Sequence, residues 1–543
     1  MQPHVRTTSK SDAANKYQAS LNLPHTDFPM RAGLADQEPA RLQRWQTLQL
    51  YERIQQARHN APCFVLHDGP PYANGRIHTG TAMNKILKDM VVKFKTMNGC
   101  RAPFVPGWDC HGLPVENALF KELKQTKHDV DQLAFRRRAR AYADKYLDIQ
   151  RKQFKRLGVL GDWERPYVTM DYRYEAQILR AFGDLFDKGY IYKGLRPIHW
   201  CLTCETALAE SEIEYGNHTS PAIYVKFPLL TDQRGPFAAC PAPALLIWTT
   251  TPWTLPANRA VTVKGDLTYC AVPFNGSTLI MLAELVPTVF AALRHPAPVI
   301  TKTCLGKDLE GLRLQHPIDA DRAVPVILGD FVTTDTGTGC VHTAPGHGEE
   351  DFVVGRTYAL EIASPVDDRG CFTNDVPAYR GQNVFRANDA IMQDLAARDL
   401  LLARDTLEHS YPHCWRCHRP VIFRATEQWF VSMEQHDMRK RALAAVEQVA
   451  WIPPSGQARI TSMLQTRPDW CLSRQRLWGV PIPAFYCRAC GKDLVRKDLV
   501  EHLAVIVEQE GSDAWFARPV EELLPPGTAC THCGGHAFRK EQD

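Results

Sequence analysis

The sequence predicts an α/β protein: a doubly wound domain interrupted by a β-rich insertion and tied off by cysteine knuckles. Three observations carry this. Over residues 63–94 a strand-like apolar run, a glycine-bearing loop and a helical pattern follow one another. Over residues 215–409 the chain changes to short β-type runs punctuated by proline and glycine. Eight of the 17 cysteines fall into four Cys-x-x-Cys pairs.

Length and charge bound the rest. A chain of 543 residues exceeds what one core supports, so several domains are expected. The reading is an extension at 1–60, the first half of an α/β domain at 61–216, an insertion at 217–409, and a return to the main body at 410–543. Hydrophobic and charged shares of 44% and 23% are ordinary for a globular protein and exclude the disordered classes. A net charge of +4 permits an RNA partner without arguing for one. No apolar run reaches the length of a membrane span. Residues 1–20 are polar and lack a signal core, so a ragged start and a cytoplasmic location are expected.

Leu42, Trp45, Leu48 and Tyr51 recur at helical spacing and suit a helix docked on the main domain. Residues 63–66 suit a buried strand, with Cys63 a small core residue. Asp68, Gly69, Pro70, Pro71, Asn74 and Gly75 then force a loop. Met83, Ile86, Leu87, Met90, Val91 and Phe94 have helical spacing, with Lys85, Lys88, Asp89, Lys93 and Lys95 on the other face. His78, Thr79, Gly80 and Thr81 stand at the turn into this helix. A strand, loop and helix N-terminus of this kind can hold a phosphate. A long helical pattern through Phe135, Tyr142, Tyr146 and Leu157 follows, then another near residues 175–187. Its basic cluster Arg136, Arg137 and Arg138 reads as a solvated face, with an RNA-backbone contact as the alternative.

In the insertion, runs at 223–227, 245–250, 260–263, 268–272 and 278–281 suit a closed β-barrel. Two polar clusters lie within it, at 248–258 and 337–351. Three consecutive threonines, Thr249 to Thr251, suit strand residues, and Gly337-Thr338-Gly339 suits a turn. Together the clusters bring hydroxyls, imidazole and carboxylate onto glycine-rich backbone, which suits a small polar pocket.

Cys201 and Cys204 are expected to pair with Cys414 and Cys417. Cys487 and Cys490 would then join Cys530 and Cys533 in a ribbon. Four pairs closing into two four-sulfur sets fit two structural Zn2+ sites. Cys270 and Cys340 read as small core residues. Residues 470–483 hold arginines and an indole before a proline stop, and read either as a surface helix end or as a basic element touching nucleotide or RNA.

These motifs resemble the class I aminoacyl-tRNA synthetases, and within them the isoleucine-specific branch. The resemblance rests on His-Asp-Gly-Pro-Pro-Tyr-Ala-Asn-Gly at 67–75, Gly-Trp-Asp-Cys-His-Gly-Leu-Pro-Val-Glu at 107–116, Thr-Thr-Thr-Pro-Trp-Thr-Leu-Pro-Ala-Asn at 249–258 and Ser-Arg-Gln-Arg-Leu-Trp-Gly at 473–479. It covers the chain from about residue 17. It implies a Rossmann-type catalytic domain with an inserted β-barrel editing domain. The implied reaction uses ATP with Mg2+ to activate isoleucine, then passes the acyl group to tRNA(Ile), in a monomer. Gly69, Pro70, Pro71, Tyr72, Asn74, Gly75, His78, Gly80 and Thr81 would cradle the nucleotide. Asp109 would receive the amino acid's ammonium, with His111 beside it. One methylene separates isoleucine from valine by only about 1–3 kcal/mol, a figure for which this pair is the standard illustration. The insertion would therefore hydrolyse valyl-tRNA(Ile). Asp351 would hold the ammonium, while Thr250, Thr251, Asn258 and His342 would shape the pocket and place the terminal adenosine and water.

Two features depart from the family pattern. Position 81 is Thr where the family has His, so a possible positive charge becomes a neutral hydroxyl that could cap the helix or bond phosphate. The family's Lys-Met-Ser-Lys-Ser loop does not occur in these residues. The expectation is an N-terminal portion that is weak in activation yet able to edit. The alternatives are a valine or leucine relative, or an editing-only or non-catalytic tRNA-binding chain.

Overall fold

The structure is a computed structural model that describes residues 21–22, 27, 32–230 and 235–543. The polar start at 1–20 lies outside the described residues. The chain begins with α1 (Leu34–Thr47), α2 (Leu50–Ala57), α3 (Thr79–Met97), β1 (Gly107–Trp108), α4 (Leu113–Leu123), α5 (Gln132–Arg156), β2 (Tyr167–Val168) and α6 (Tyr172–Asp187). It divides into two compact units, one of residues up to 109 with 144–168, the other of 110–143 with 169–543. Among the described residues no helix is long and apolar enough to cross a membrane.

In the first unit the docked helix is two helices, because Gln49 at φ +48° breaks the run. Pairing is parallel, as a doubly wound sheet requires, but short. It comprises β1 with β2 and single bridges Cys63–Arg101 and Tyr72–Asp109. The expected buried strand at 63–66 is corrected: Cys63 and Val65 are exposed, and only Cys63 is bridged.

Helix α3 forms as its periodicity predicts, but with its faces reversed. Met83, Leu87, Met90, Phe94 and Met97 point outward, from 54% to 76% exposed, while Lys85, Asp89 and Val92 are buried. The reason is a polar seam. Lys85 and Lys88 both pair with the Asp68 carboxylate. Lys85 also lies over the Phe104 and Phe154 rings. Asp89 accepts from Leu160 N at 3.0 Å, and Lys93 donates to Gly158 O at 2.9 Å. A buried charge stays inside only where it is paired, and each of these is.

The second unit continues with β3 (Ile191–Cys201), β4 (Thr206–Leu208), β5 (Ile213–Pro228), β6 (Pro243–Thr249), β7 (Ala260–Val263), β8 (Thr268–Phe274), β9 (Ser277–Leu282), α7 (Val286–Ala292), β10 (Lys302–Leu305), β11 (Arg313–Gln315), β12 (Ala323–Leu328), β13 (Val341–Thr343), α8 (Glu349–Thr357), α9 (Val384–Ala397), β14 (Leu401–Cys414) and β15 (Ile422–Val431). All five β-type runs expected in the insertion lie on strands. With β10 to β14 they form a six-stranded sheet, β10-β8-β9-β6-β5-β14, and a four-stranded sheet, β11-β12-β7-β13. A bridge from Leu229 to Leu314 joins them. The facing sides supply one apolar core that includes Ile223, Leu245, Val261, Tyr269, Leu279 and Val326. Entry and exit of the insertion are adjacent, because β5 and β14 pair antiparallel from Ile213–Cys414 to Val225–Leu401.

Two sequence readings change here. Arg136 is not on a solvated face; it is fully buried between the Trp478 and Phe516 rings. It pairs with Asp513 and donates to Leu477 O at 2.9 Å, Gly479 O at 3.0 Å and Ser512 Oγ at 2.7 Å. Residues 472–484 are not helical. They run without helix or strand, bend at 477–479, and are fixed by Glu116, whose Oε1 accepts from Leu477 N and Trp478 N at 2.6 and 2.7 Å.

Candidate active site and metal centres

The two polar clusters of the insertion meet. Strand β6 ends at Thr249, and the chain turns through Thr250 and Thr251 into a short 3-10 helix, Pro252–Ala257. The second cluster crosses from the 337–339 turn through β13 to α8. At Gly339 the turn needs glycine: φ is +75°, and a Cβ would sit 2.4 Å from that of Leu282. Between the clusters lies a cavity of about 270 Å³, lined by Thr250, Thr251, Thr254, His342, His347 and Asp351 among others.

Asp351 occupies the first turn of α8, and its Oδ2 accepts from Ala344 N at 2.8 Å. Burial, with Glu350 beside it, pushes its pKa up to about 7 against that hydrogen bond. A neutral-to-anionic carboxyl in a small polar cavity can receive an ammonium.

His342 does not have a free nitrogen for the cavity. Asn258 Nδ2 donates to its Nδ1 at 2.7 Å, and its Nε2 is 2.9 Å from Thr254 Oγ1. Thr254 donates onward to Thr251 O at 2.8 Å, so it accepts from a protonated Nε2. Burial, with His316 and His347 nearby, lowers the His342 pKa to about 3, so the ring is neutral. Asn258 is fully buried and lies behind the cavity; it holds His342 and the carbonyl of Ala260 at 2.8 Å. The sequence reading missed Thr254 and His347. The His347 Nδ1 donates to Phe423 O at 2.9 Å, and its ring packs on Trp253 at 4.9 Å. Its place in the Pro-Gly-His-Gly turn was the available signal.

The nucleotide candidates are only partly assembled. Asp109 pairs with the loop through its backbone: Ala73 N donates to Asp109 O and Asp109 N to Pro71 O, both at 3.0 Å. Gly69, Pro70, Pro71, Tyr72, Asn74 and Gly75 therefore share one turn with Asp109. The helix cap is His78, not Thr81. The His78 Nδ1 accepts from Gly80 N at 3.1 Å and from Thr81 N at 3.3 Å. An imidazole at the N-cap leaves Thr81 one turn inside the helix. His111 belongs to the second unit, where it hydrogen-bonds Glu175 at 3.1 Å and packs at a tilt against the Trp478 ring.

The cysteines form the two expected sets. In each, Cys201, Cys204, Cys414 and Cys417, or Cys487, Cys490, Cys530 and Cys533, all four sulfurs lie within 4.8 Å of one another. Closest approaches are 3.5 Å for Cys201–Cys417, 3.5 Å for Cys487–Cys533 and 3.7 Å for Cys490–Cys530. These are far beyond a disulfide bond of about 2.05 Å. A tetrahedral zinc with Zn–S near 2.3 Å sets its sulfurs about 3.8 Å apart. Cys204 N donates to Cys201 Sγ and His532 N to Cys530 Sγ, as suits thiolates. The donor sets fit zinc. Cys270 and Cys340 are buried core residues.

Comparison with known proteins places these observations. The family described as tRNA synthetases class I (I, L, M and V) matches residues 40–543. The isoleucine–tRNA ligase of Moorella thermoacetica is 51% identical over 527 residues, 97% of this chain and 56% of that protein. Those of Desulfitobacterium hafniense DSM 10664 and Kosmotoga olearia are 50% and 48% identical, again over 97% of this chain. The chain thus spans 56% of the length of the curated relatives it matches. A leucine enzyme of Agrobacterium radiobacter K84, solved as a ternary complex with tRNA and LeuAMS, aligns over 94% of this chain and 58% of its own, at 16% identity and a TM-score of 0.38.

Proposed function

The chain belongs to the class I tRNA synthetases of the isoleucine, leucine, methionine and valine group, and from that premise we propose that it is part of an isoleucine–tRNA ligase whose inserted domain, residues 217–409, edits valyl-tRNA(Ile). The specificity for isoleucine rests on half-identity to ligases of that name. The whole protein activates isoleucine with ATP and Mg2+, releases pyrophosphate and acylates tRNA(Ile) in the cytoplasm. The turn of residues 69–75, His78 and Asp109 receives the adenylate; the N-terminal end of α3 favours the phosphate's charge through the helix dipole, while the His78 imidazole occupies the Gly80 and Thr81 N–H groups.

The observation that carries the editing reading is the cavity between Thr250 and Asp351. A valyl ester enters with its ammonium on Asp351. Thr250 and Thr251 supply hydroxyls to the terminal ribose and to water. Water adds to the ester carbonyl, the carbon–oxygen bond to the ribose breaks, and valine leaves as the acid. His342 keeps the threonine turn in place and stays neutral, so proton transfer does not run through it. The two cysteine sets would hold zinc, which would tie the ends of β3 and β14 together and close the ribbon at 487–533.

The test is valyl-tRNA(Ile) hydrolysis by the wild type and by Asp351→Ala. Loss of a buried charge pair's partner costs on the order of 2–5 kcal/mol, hence a fall of at least about thirtyfold. Equal rates would remove Asp351 from the site.

A further inference from the structure

The nucleotide turn is held from behind by a side chain that no motif marks. Gln150 lies on the part of α5 that belongs to the first unit and is 4% exposed. Its Nε2 donates to Tyr72 O at 3.0 Å and to Gly75 O at 2.7 Å. Its Oε1 accepts from the indole nitrogen of Trp108 at 3.0 Å. The amide orientation is therefore fixed. Turned over, it would set oxygen against two carbonyls and nitrogen against an N–H. Three residues on, along the same helix face, Gln153 Oε1 accepts from Ile77 N at 3.0 Å. Upstream, Asp68 is tied to α3 by Lys85 and Lys88. The turn is thus gripped at its start, middle and end.

We propose that Gln150, seconded by Gln153, is a positioning residue for the nucleotide: it fixes the backbone of residues 72–77 in the form that receives the adenylate. The inference rests on the nucleotide reading given above. Trp108, the third partner, is fully buried and immediately precedes Asp109. One amide therefore links the phosphate turn to the residue placed at the amino-acid end of the site. Setting a loop before binding removes the ordering cost from binding and keeps affinity high.

Calorimetric titration of the full chain with a non-hydrolysable isoleucyl-adenylate analogue tests this. Gln150→Ala should weaken binding by about tenfold, and Gln150→Glu by more, because an oxygen then faces two carbonyls. Gln153→Ala, a half-buried position, should weaken it by about threefold and guards against a misfolded Gln150 variant. Hydrogen exchange at 73–78 should quicken in all three without ligand. Valyl-tRNA hydrolysis should be unchanged, and the circular dichroism and melting of each variant should match the wild type, which a loss of structure in the first unit would not allow. Wild-type affinity in Gln150→Glu and Gln153→Ala would overturn the inference alone. No binding by the wild type would overturn the nucleotide reading and this inference with it.

Discussion

The cavity at Thr250–Asp351 and the turn at 69–78 differ in how they are completed. Every residue of the cavity comes from one compact unit, and its polar groups are mostly paired behind the wall by Asn258, Thr254 and Ala344. The turn is equally well braced, by Gln150 and Asp68, but His111 belongs to the other unit. The helix leaving the turn also shows its apolar stripe to solvent. Bracing and completeness are separate properties. A turn can be preset by buried amides and ion pairs, whereas a cavity is defined by the groups that wall it.

The comparison can be broken first at the seam of the first unit. Lys85→Ala leaves Asp68 buried with Lys88 alone and should cost about 1–3 kcal/mol by denaturant unfolding of that unit. Hydrolysis of valyl-tRNA in the second unit should survive. Loss of both together would mean the units are not independent.

Metal removal acts on the other side. Cys414→Ser should lower zinc content from two per chain towards one. It should also lower the melting temperature by several degrees, because a structural metal contributes folding energy directly. The effect should fall on hydrolysis more than on adenylate binding, since the first set clips the ends of β3 and β14.

Within the cavity, Asn258→Ala frees the His342 Nδ1. Hydrolysis at pH 7 should fall about tenfold. Burial holds the His342 pKa at about 3 with or without Asn258, so the pH profile should stay that of the wild type. An unchanged rate would show that Asn258 does not position the ring.

Asp351 gives a subtler sign. Its pKa is raised to about 7, so wild-type hydrolysis should climb as pH rises through about 7, while Asp351→Asn lacks that step. Stability runs the other way. A raised carboxyl stabilises fully below its unfolded value, about 4, and the contribution is lost as pH rises through about 7. The smallest effect is on α3: Leu87→Lys and Met90→Lys should change unfolding by less than about 0.5 kcal/mol, because both side chains are exposed.

How much of this could be read from sequence depended on range. The cysteine sets were legible because Cys-x-x-Cys spacing fixes each half and only the pairing of halves remained. Helix α3 was legible by period but not by face. Apolar spacing names a stripe, while only the distant Asp68, Phe104 and Phe154 show that Lys85 turns inward. Arg136 failed for the same reason: its partners lie more than 300 residues away at Leu477, Gly479, Ser512 and Asp513. Thr250, Thr251 and Asp351 were reachable through the motifs. The part played by Thr254 and the closed hydrogen bonding of His342 depended on a contact across 88 positions. Gln150 carried no local signal at all.

The central claim is that the inserted cavity selects the smaller acyl group. Single-turnover hydrolysis of valyl-tRNA(Ile) and isoleucyl-tRNA(Ile) by this chain tests it most directly. The account predicts valyl hydrolysis faster by at least about tenfold, the value of one excluded methylene, and abolished in Asp351→Ala. Equal rates on the two esters, or no hydrolysis of either by a folded, zinc-loaded chain, would contradict it.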